Sequence, residues 1–337
     1  MSKFKYVLLI PLVLILLYFF GPTTSFEHFD ASPIISKMGL DQVETFIQKK
    51  EMENDSIKPD NEARVLWYDS IGRTENVFLY LHGFGASQYE GHPVHENLAK
   101  KYGCNLILGR FPDNGVISKH PLLHSTPKKY IEYGKEIIDM ASKLGDNLYI
   151  ISTSTGATVS SYLASEDDRI KGLIMLSPNF GVNKLEFDLL DGPWGKQLLY
   201  FNFKDGYREF PANNEVQKYW IHRYRVEALI TLDKLVSVTM KPSVFNKIDI
   251  PYFIGYYYRD EDHKDEIISI TKINTFDEAT STDPKLTRLV PFPDANTHVI
   301  ACDLYNPKWM NIQIGIEKYL EEVLGWDATI SKKSSSQ

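Results

Sequence analysis

Cysteine is scarce in this sequence, which has only Cys104 and Cys302 among its 337 residues. Two cysteines are too few for the disulfide framework of a small secreted scaffold or for a cysteine-rich metal site. Both lie in apolar segments that are typical of a protein interior, so a disulfide between them is an alternative that the sequence does not favour. The count excludes a protein that is built around disulfides or bound zinc.

A surplus of basic residues is also missing. The 37 lysines and arginines face 44 aspartates and glutamates, which gives a net charge of −7. General nucleic-acid binders usually carry excess positive charge, so the sequence predicts no nucleic-acid partner. With 43% hydrophobic and 24% charged residues, the composition is that of an ordinary globular protein. It excludes a disordered chain, a fibrous protein and a membrane protein with many spans.

Long hydrophobic runs are absent beyond residue 20, but one such run precedes it. Lys3 and Lys5 are followed by an apolar run over residues 6–20, with no small-residue cleavage site after it. The run is short for a spanning helix and suits a signal-peptide core. We expect residues 1–21 to be an uncleaved membrane anchor, with a cleaved secretory signal or a buried helix as alternatives. Since basic residues favour the cytoplasmic side, the rest is expected to be periplasmic or extracellular.

The remainder of the chain divides into three parts by composition. Residues 22–62 are predicted to contain one amphipathic helix and a polar linker. Residues 63–325 are predicted to form the main domain. Residues 326–337 are predicted to be a disordered tail, because their end is rich in serine and lysine.

Short apolar runs alternate with helical stretches in the main domain, which predicts an α/β fold with a mostly parallel sheet covered by helices on both faces. A turn near Gly72 predicts that the first two strands pair as a hairpin. The aromatic-rich segment at about 182–236 interrupts the alternation and is predicted to be an inserted cap. The predicted strands lie at residues 64–69, 76–81, 105–108, 148–151, 172–176, 252–256 and 287–290.

The strongest local signal is an apolar strand that continues into the motif STSTG and then into a helix. In a nucleophile elbow, a serine occupies a sharp turn between strand and helix, and the residues two positions away must be small. Gly156 meets this requirement around Ser154, whereas Ser152 replaces the usual first glycine. The amide of Thr155, at the helix N-terminus, would then face a developing oxyanion. The alternative is that Ser152 or Ser154 only caps the helix.

A second glycine-containing turn, HGFGAS, follows the strand at residues 76–81. Glycine allows the backbone of such a turn to approach a substrate closely. The amide of Phe84 is therefore a candidate for the second oxyanion donor. An ordinary glycine-rich turn is the alternative.

A serine nucleophile requires a histidine base and a carboxylate that orients the histidine. In elbow-type hydrolases the carboxylate follows the serine and the histidine comes last. The acidic stretch RDEDHKDE offers Asp260, Asp262 and Asp265, and we favour Asp265 because the isoleucines after it can anchor the loop. His298 lies on a loop after the last predicted strand, 33 positions beyond Asp265. A solvated acidic loop is the alternative interpretation.

Three other interpretations are weaker. The acidic stretch lacks the glycine of a calcium loop, and Lys264 stands at a ligand position. His92 and His95 are a possible metal pair, but no third ligand is placed near them. The spacing from His298 to Asp303 matches that of glycerolipid acyltransferases, in which a strand–serine–helix element has no part. We therefore predict no metal site and no cofactor.

Together these motifs resemble the α/β-hydrolase superfamily and, within it, the serine esterase and lysophospholipase-like branch. The resemblance covers about residues 64–324, including YLHGFGAS, ENLAKKYG and LSPNFG. It departs from the family at Ser152 and at RFPDNG, which stands where many members have Gly-His-Gly. The resemblance implies an α/β-hydrolase fold with a cap, a nucleophile, acid and base, and two oxyanion amides: Ser154, Asp265, His298, and the amides of Phe84 and Thr155.

Three classes of function are compatible with these residues. The leading one is hydrolysis of carboxylic esters, with a small or lipid-like substrate, through an acyl-serine intermediate. A peptidase, a thioesterase or an acyltransferase would use the same site, and a non-catalytic relative would only bind. Fold does not determine substrate, and the sequence indicates no oligomeric state. The complete order of serine, aspartate and histidine argues against the non-catalytic class.

Overall fold

The computed structural model of the chain describes residue 13 and residues 16–182 and 190–329. Most of the predicted anchor run, residues 183–189 of the predicted cap and the predicted tail from residue 330 lie outside the described residues. In the described part, no helix combines the length and the apolar character that a membrane span needs.

A central sheet of seven strands organises the molecule. Its order is β1-β3-β2-β4-β5-β8-β11, and every neighbouring pair is parallel except β1 and β3. This confirms the mostly parallel sheet that the sequence predicts, and each predicted strand run falls on one of the seven. The strands are β1 Arg64–Leu66, β2 Thr74–Leu81, β3 Asn105–Leu108, β4 Gly145–Thr153, β5 Ile170–Leu176, β6 Tyr207–Glu209, β7 Arg223–Arg225, β8 Tyr252–Tyr256, β9 Tyr258–Asp260, β10 His263–Lys264 and β11 Thr287–Pro291.

The predicted hairpin between the first two strands is wrong. β1 pairs with β3, where Val65 lies opposite Ile107, and β2 lies between β3 and β4. The last five residues of β2 are all buried. Such an apolar strand is most stable with a neighbour on each side, so β1 is left at the edge of the sheet.

Helices cover both faces of the sheet, as predicted. Several begin at residues with the expected capping chemistry: before α3, the Thr126 side chain accepts a hydrogen bond from the Lys129 amide, and Pro127 occupies the first turn. The helices are α1 Leu40–Met52, α2 Val94–Tyr102, α3 Pro127–Ala141, α4 Thr155–Ala164, α5 Gly195–Asn202, α6 Asn214–Tyr219, α7 Glu227–Thr239, α8 Pro242–Phe245, α9 Ile270–Ala279 and α10 Trp309–Glu322.

Two hydrophobic clusters lie on opposite faces of the sheet. Along β2, Val77, Leu79 and Leu81 belong to one cluster, whereas Phe78 and Tyr80 belong to the other. Alternate side chains of a strand point to opposite faces. The first cluster includes buried residues of α1, α3 and α4, and the second includes those of α2 and α10. The central strands are thus buried on both sides, and polar chemistry is possible only at their ends.

The segment between β5 and β8 contains α5, the antiparallel pair of β6 and β7, α6 and α7. Its apolar side chains form a third cluster with Leu199, Tyr224 and Leu229 among its members. Phe84, from the turn after β2, packs against this cluster, and its ring centroid lies 5.4 Å from that of Tyr224. The segment therefore lies over the carboxyl end of β2.

Trp326 and Thr329, which fall in the predicted disordered tail, contact the main domain. Trp326 packs against the rings of Phe78, Tyr102 and Tyr149, and Thr329 donates a hydrogen bond to the Lys101 carbonyl. A tryptophan next to exposed aromatic surface gains free energy by burial, and the polar composition of the following residues does not reveal this.

Candidate active site

Ser154 lies at the sharp turn where β4 ends and α4 begins. Its φ of 51° and ψ of −113° are unusual for a residue other than glycine, and such strain is often stored at functional sites. A Cβ atom on Gly156 would lie 2.1 Å from the Leu81 carbonyl oxygen, so only glycine fits there. Ser152 is buried, and its Oγ lies 3.1 Å from that of Ser160. The local geometry is that of a nucleophile elbow, including the unusual serine.

Asp265 and His298 are in direct contact, although 33 positions separate them. Asp265 Oδ2 lies 2.7 Å from His298 Nδ1, and its other oxygen accepts hydrogen bonds from the amides of Ile267 and Ile268. Because a carboxylate only accepts, Nδ1 carries the proton and Nε2 is left to act as a base. Of the two isoleucines expected to anchor the loop, Ile268 is fully buried, whereas the Ile267 side chain is 50% exposed.

The other two aspartates considered for this role lie elsewhere. Asp260 is exposed and pairs with His263 at 2.8 Å on the hairpin of β9 and β10. Asp262 is also exposed, at the tip of the same hairpin. Of the three candidates, the structure brings only Asp265 to His298.

Burial and charge set the protonation states of the pair. Burial favours neutral His298, but the charges of Asp265 and Glu90 outweigh it and raise the pKa of the imidazole. Burial likewise opposes ionisation of Asp265, yet His298 and two backbone amides together lower the pKa of that carboxyl. The pair therefore combines an ionised carboxylate with a histidine that binds a proton readily.

The turn after β2 lies directly beside Ser154. A Cβ atom on Gly83 would lie 3.1 Å from the Ser154 Cβ. The Gly83 amide donates to the Glu90 carboxylate, and the Gly85 amide donates to Asn114 Oδ1 at 2.9 Å. Side chains thus hold the peptide planes immediately before and after the plane that carries the Phe84 amide.

The two predicted oxyanion donors are the backbone amides of Phe84 and Thr155. Neither the Phe84 amide nor the Thr155 amide has a hydrogen-bond partner among the described residues. The Thr155 amide belongs to the first turn of α4, where the helix dipole favours negative charge. Two unpaired donors beside a serine can stabilise a tetrahedral oxyanion.

His82 links the turn after β2 to the segment after β3. It is fully buried, and its Nδ1 lies 2.7 Å from the Gly83 carbonyl while its Nε2 accepts the Phe111 amide at 3.0 Å. Burial lowers the pKa of His82 to about 4, so the ring is neutral and serves as a connector. This histidine therefore belongs to the scaffold of the turn.

The RFPDNG segment, where the sequence departs from the family, connects the turn after β2 to neighbouring helices. Arg110 forms a buried bidentate ion pair with Glu51 of α1, with N···O distances of 2.6 and 2.8 Å. Asn114 holds the Gly85 amide, as described above, and its Nδ2 donates to Tyr130. Sequence analysis did not assign Asn114 to the site, because its contact with Gly85 joins residues that are far apart in the chain.

Two further polar residues at the site were not predicted. Glu90 is 3% exposed and accepts a hydrogen bond from the Gly83 amide. The backbone N–H of Asn179 donates a hydrogen bond to the Ser154 carbonyl. The buried side-chain Oδ1 of Asn179 has no hydrogen-bond partner among the described residues. The LSPNFG motif was a signal for Asn179, but no signal distinguishes Glu90 from the other acidic residues.

The described residues contain no group of three or more histidine, cysteine, aspartate or glutamate side chains placed to hold a metal ion. His92 lies 3.3 Å from Glu96, and His95 is buried with its Nε2 2.9 Å from the Gln88 carbonyl oxygen. Cys104 and Cys302 are buried free thiols, so the alternative of a disulfide between them is wrong.

Comparison with solved structures places this geometry in a known fold. A structure of the metagenome-derived lipolytic enzymes LipS and LipT aligns with a TM-score of 0.62 and 13% identity, over 79% of this chain and 99% of that one. The monoacylglycerol lipase of Paleococcus ferrophilus aligns with a TM-score of 0.54 and 14% identity, over 77% and 97% of the two chains.

Est1E from Butyrivibrio proteoclasticus aligns equally well, with a TM-score of 0.54 and 14% identity over 80% of this chain and 98% of its own. A second Est1E structure has ferulic acid bound. No protein-family profile and no curated protein sequence matches the chain. At these identities the likeness is one of fold, and with its parallel sheet and its elbow after β4 the chain is an α/β-hydrolase fold protein.

Proposed function

We propose that the protein is a serine hydrolase that cleaves carboxylic esters through an acyl intermediate on Ser154. The observation that carries the proposal is the contact between buried Asp265 and His298 at the same sheet edge as the strained Ser154. Two free amides, those of Phe84 and Thr155, supply the remaining requirement of acyl transfer, a site for the oxyanion.

The proposed reaction has two stages. In the first, His298 Nε2 removes the Ser154 Oγ proton as that oxygen attacks the ester carbonyl carbon. The carbonyl oxygen takes up the negative charge and accepts hydrogen bonds from the amides of Phe84 and Thr155. Collapse of this intermediate expels the alcohol, which leaves with the proton from His298, and the acyl group stays on Ser154.

In the second stage, His298 removes a proton from water as the water oxygen attacks the acyl carbon. The intermediate collapses, the acid departs and Ser154 regains its proton. Asp265 keeps the Nδ1 proton in place during both stages and stabilises the imidazolium that forms.

An ester is the preferred substrate class for two reasons. Similar structures include lipolytic enzymes and a monoacylglycerol lipase, and Est1E is seen with ferulic acid. In addition, the aromatic segment over the site, which we propose to be the cap, offers apolar surface beside Phe84. We expect medium-chain esters to be hydrolysed faster than acetates.

The test is an assay of soluble esters of increasing acyl length, together with thioesters and peptides, on the protein and on Ser154→Ala. We expect hydrolysis of esters that the variant loses almost completely. A matched control is Ser161→Ala, which alters a buried serine of α4 away from the turn. Faster cleavage of peptides or thioesters would assign the site to a peptidase or thioesterase, and equal ester rates in protein and Ser154→Ala would refute the assignment of Ser154.

We further propose that residues 1–21 anchor the protein in a membrane, with the catalytic domain outside the cytoplasm. The apolar N-terminal run reaches the start of α5: Trp194 Nε1 donates to the Leu17 carbonyl, and the Trp194 amide donates to the Pro22 carbonyl. Beside this contact α5 exposes Phe201, which is 80% accessible, and Leu198.

The exposed apolar face of α5 thus continues the apolar N-terminal run. Aromatic side chains such as Trp194 are favoured at membrane interfaces. We propose that this face lies on the bilayer when the anchor is inserted. Its buried side, through Leu199, packs on the same cluster as Phe84. Lipid-like esters would then reach the site from the membrane surface.

A further inference from the structure

A second carboxylate, Glu90, lies at the candidate active site. It belongs to the short helical segment Gln88–Gly91 that follows the turn carrying Phe84. Its side chain is buried, with 3% exposure, and forms no ion pair with a lysine or arginine in the described part of the chain. Burial of an unpaired carboxylate is costly, so its position calls for a reason other than stability.

Glu90 and Ser154 approach each other across Gly83. A Cβ atom on Gly83 would lie 2.9 and 3.0 Å from the two carboxylate oxygens of Glu90, and 3.1 Å from the Ser154 Cβ. No side chain can therefore stand between the carboxylate and the serine. The same carboxylate accepts the Gly83 amide and fixes the peptide plane that precedes the Phe84 amide.

Among the described residues that interact electrostatically with Glu90, one can carry positive charge. Tyr80, Cys302 and Tyr305 act on it from β2 and from the chain after His298, but burial raises the pKa of each, so all three are neutral near pH 7. His298 is the remaining group. In turn, the charged groups that act on His298 are Asp265, through its hydrogen bond, and Glu90.

We propose that Glu90 is a positioning residue of the hydrolase: it holds the oxyanion turn through Gly83, and its charge stabilises the imidazolium of His298 during acyl transfer. It touches neither the acyl group nor the reacting oxygen. The proposal rests on the proposed serine hydrolase function. In this proposal two carboxylates act on His298: Asp265 orients the ring through a hydrogen bond, and Glu90 acts on its charge through space.

The charge of Glu90 is itself sensitive to pH. Burial raises the pKa of its carboxyl to about 7, although the Gly83 amide and His298 act in the opposite direction. Near neutral pH, Glu90 and His298 therefore influence each other, and their titrations are coupled. Removing the carboxylate charge must lower the pKa of His298, since an anion nearby favours the protonated ring.

The test compares Glu90→Gln with the unmodified protein, by measuring kcat and KM for a soluble ester between pH 5 and 9. The amide keeps an acceptor for the Gly83 amide but has no charge. We expect the plateau of kcat to fall about tenfold with little change in KM, because the imidazolium loses a favourable charge. We also expect the acid limb of kcat/KM to move toward lower pH by about half a unit or more.

Glu96→Gln is the matched control. Glu96 lies on α2 near Glu90, but it pairs with His92, so its pH profile should be that of the unmodified protein. If Glu90→Gln lowers the rate without moving the acid limb, Glu90 is only structural and the proposal is overturned. An unchanged rate and limb would overturn it as well.

A second measurement separates this proposal from the proposed function. The pKa of His298 can be followed by NMR of the imidazole without any substrate, with His298→Gln used to assign the signal. A lower pKa in Glu90→Gln supports the interaction even if the protein hydrolyses no ester. An unchanged pKa contradicts the interaction even if Ser154 proves to be the nucleophile.

Discussion

At the scale of single residues, Asp265 has the most specific assignment. We expect Asp265→Asn to lower kcat by about 10⁴-fold, because an amide cannot hold the Nδ1 proton and leaves His298 in the wrong tautomer. Asp260→Asn and Asp262→Asn should retain nearly full activity, since both side chains are exposed on the hairpin of β9 and β10. Steady-state kinetics of the three variants on one ester is the measurement. A loss in Asp260→Asn or Asp262→Asn, with Asp265→Asn active, would contradict the assignment.

The sequence offered clearer motifs for the proposed catalytic residues than for the residues that contact them. Ser154, Asp265 and His298 stand in motifs with a fixed chain order, and the structure brings Asp265 and His298 together. Glu90 and Asn114 have no such motif. Their contacts with Gly83 and Gly85 depend on how loops pack across the sheet edge, and tertiary packing of this kind leaves no periodic signal.

At the scale of elements, the elbow depends on a close approach between α4 and β2. We expect Gly156→Ala to destabilise the protein by about 3 kcal/mol or more and to abolish activity, because its Cβ would overlap the Leu81 carbonyl. Gly72→Ala, in an open turn with no close atom, is the control. Thermal unfolding followed by circular dichroism measures both. Native stability in Gly156→Ala would contradict the close approach of α4 to β2.

The strands show which features of the fold the sequence pattern predicts and which it does not. The apolar runs identified all seven strands of the sheet. The signal is clearest in β3 and β8, where every position is buried and therefore favours an apolar residue. The order in which the strands pair was harder to predict from the sequence. The short connection between residues 66 and 74 favoured a hairpin, but β1 pairs with β3. Strand partners depend on the burial of the whole sheet, and β2 is more apolar than a hairpin strand at an edge.

At the scale of the whole molecule, the proposed membrane face of α5 predicts how activity depends on the substrate's surroundings. We expect the double variant Leu198→Ser, Phe201→Ser to hydrolyse monoacylglycerol in liposomes about tenfold more slowly, because less apolar surface enters the bilayer. Hydrolysis of a soluble ester should not change. The measurement is the ratio of the two rates.

The control is the double variant Met310→Ser, Ile314→Ser, which removes comparable exposed apolar surface from α10. An equal loss in both double variants, or none in either, would contradict a specific membrane face. Fractionation of cells tests the anchor itself: the full-length chain should be found in the membrane fraction, and a shortened soluble form would mean that the N-terminal segment is cleaved.

An activated Ser154 should react with a covalent probe that targets serine nucleophiles. The protein is incubated with a fluorophosphonate, and the adduct is located by mass spectrometry of its peptides. We expect one adduct, on Ser154, and none in Ser154→Ala, while Ser161→Ala should be labelled like the unmodified protein. An adduct on another residue, or equal labelling of Ser154→Ala, would contradict it.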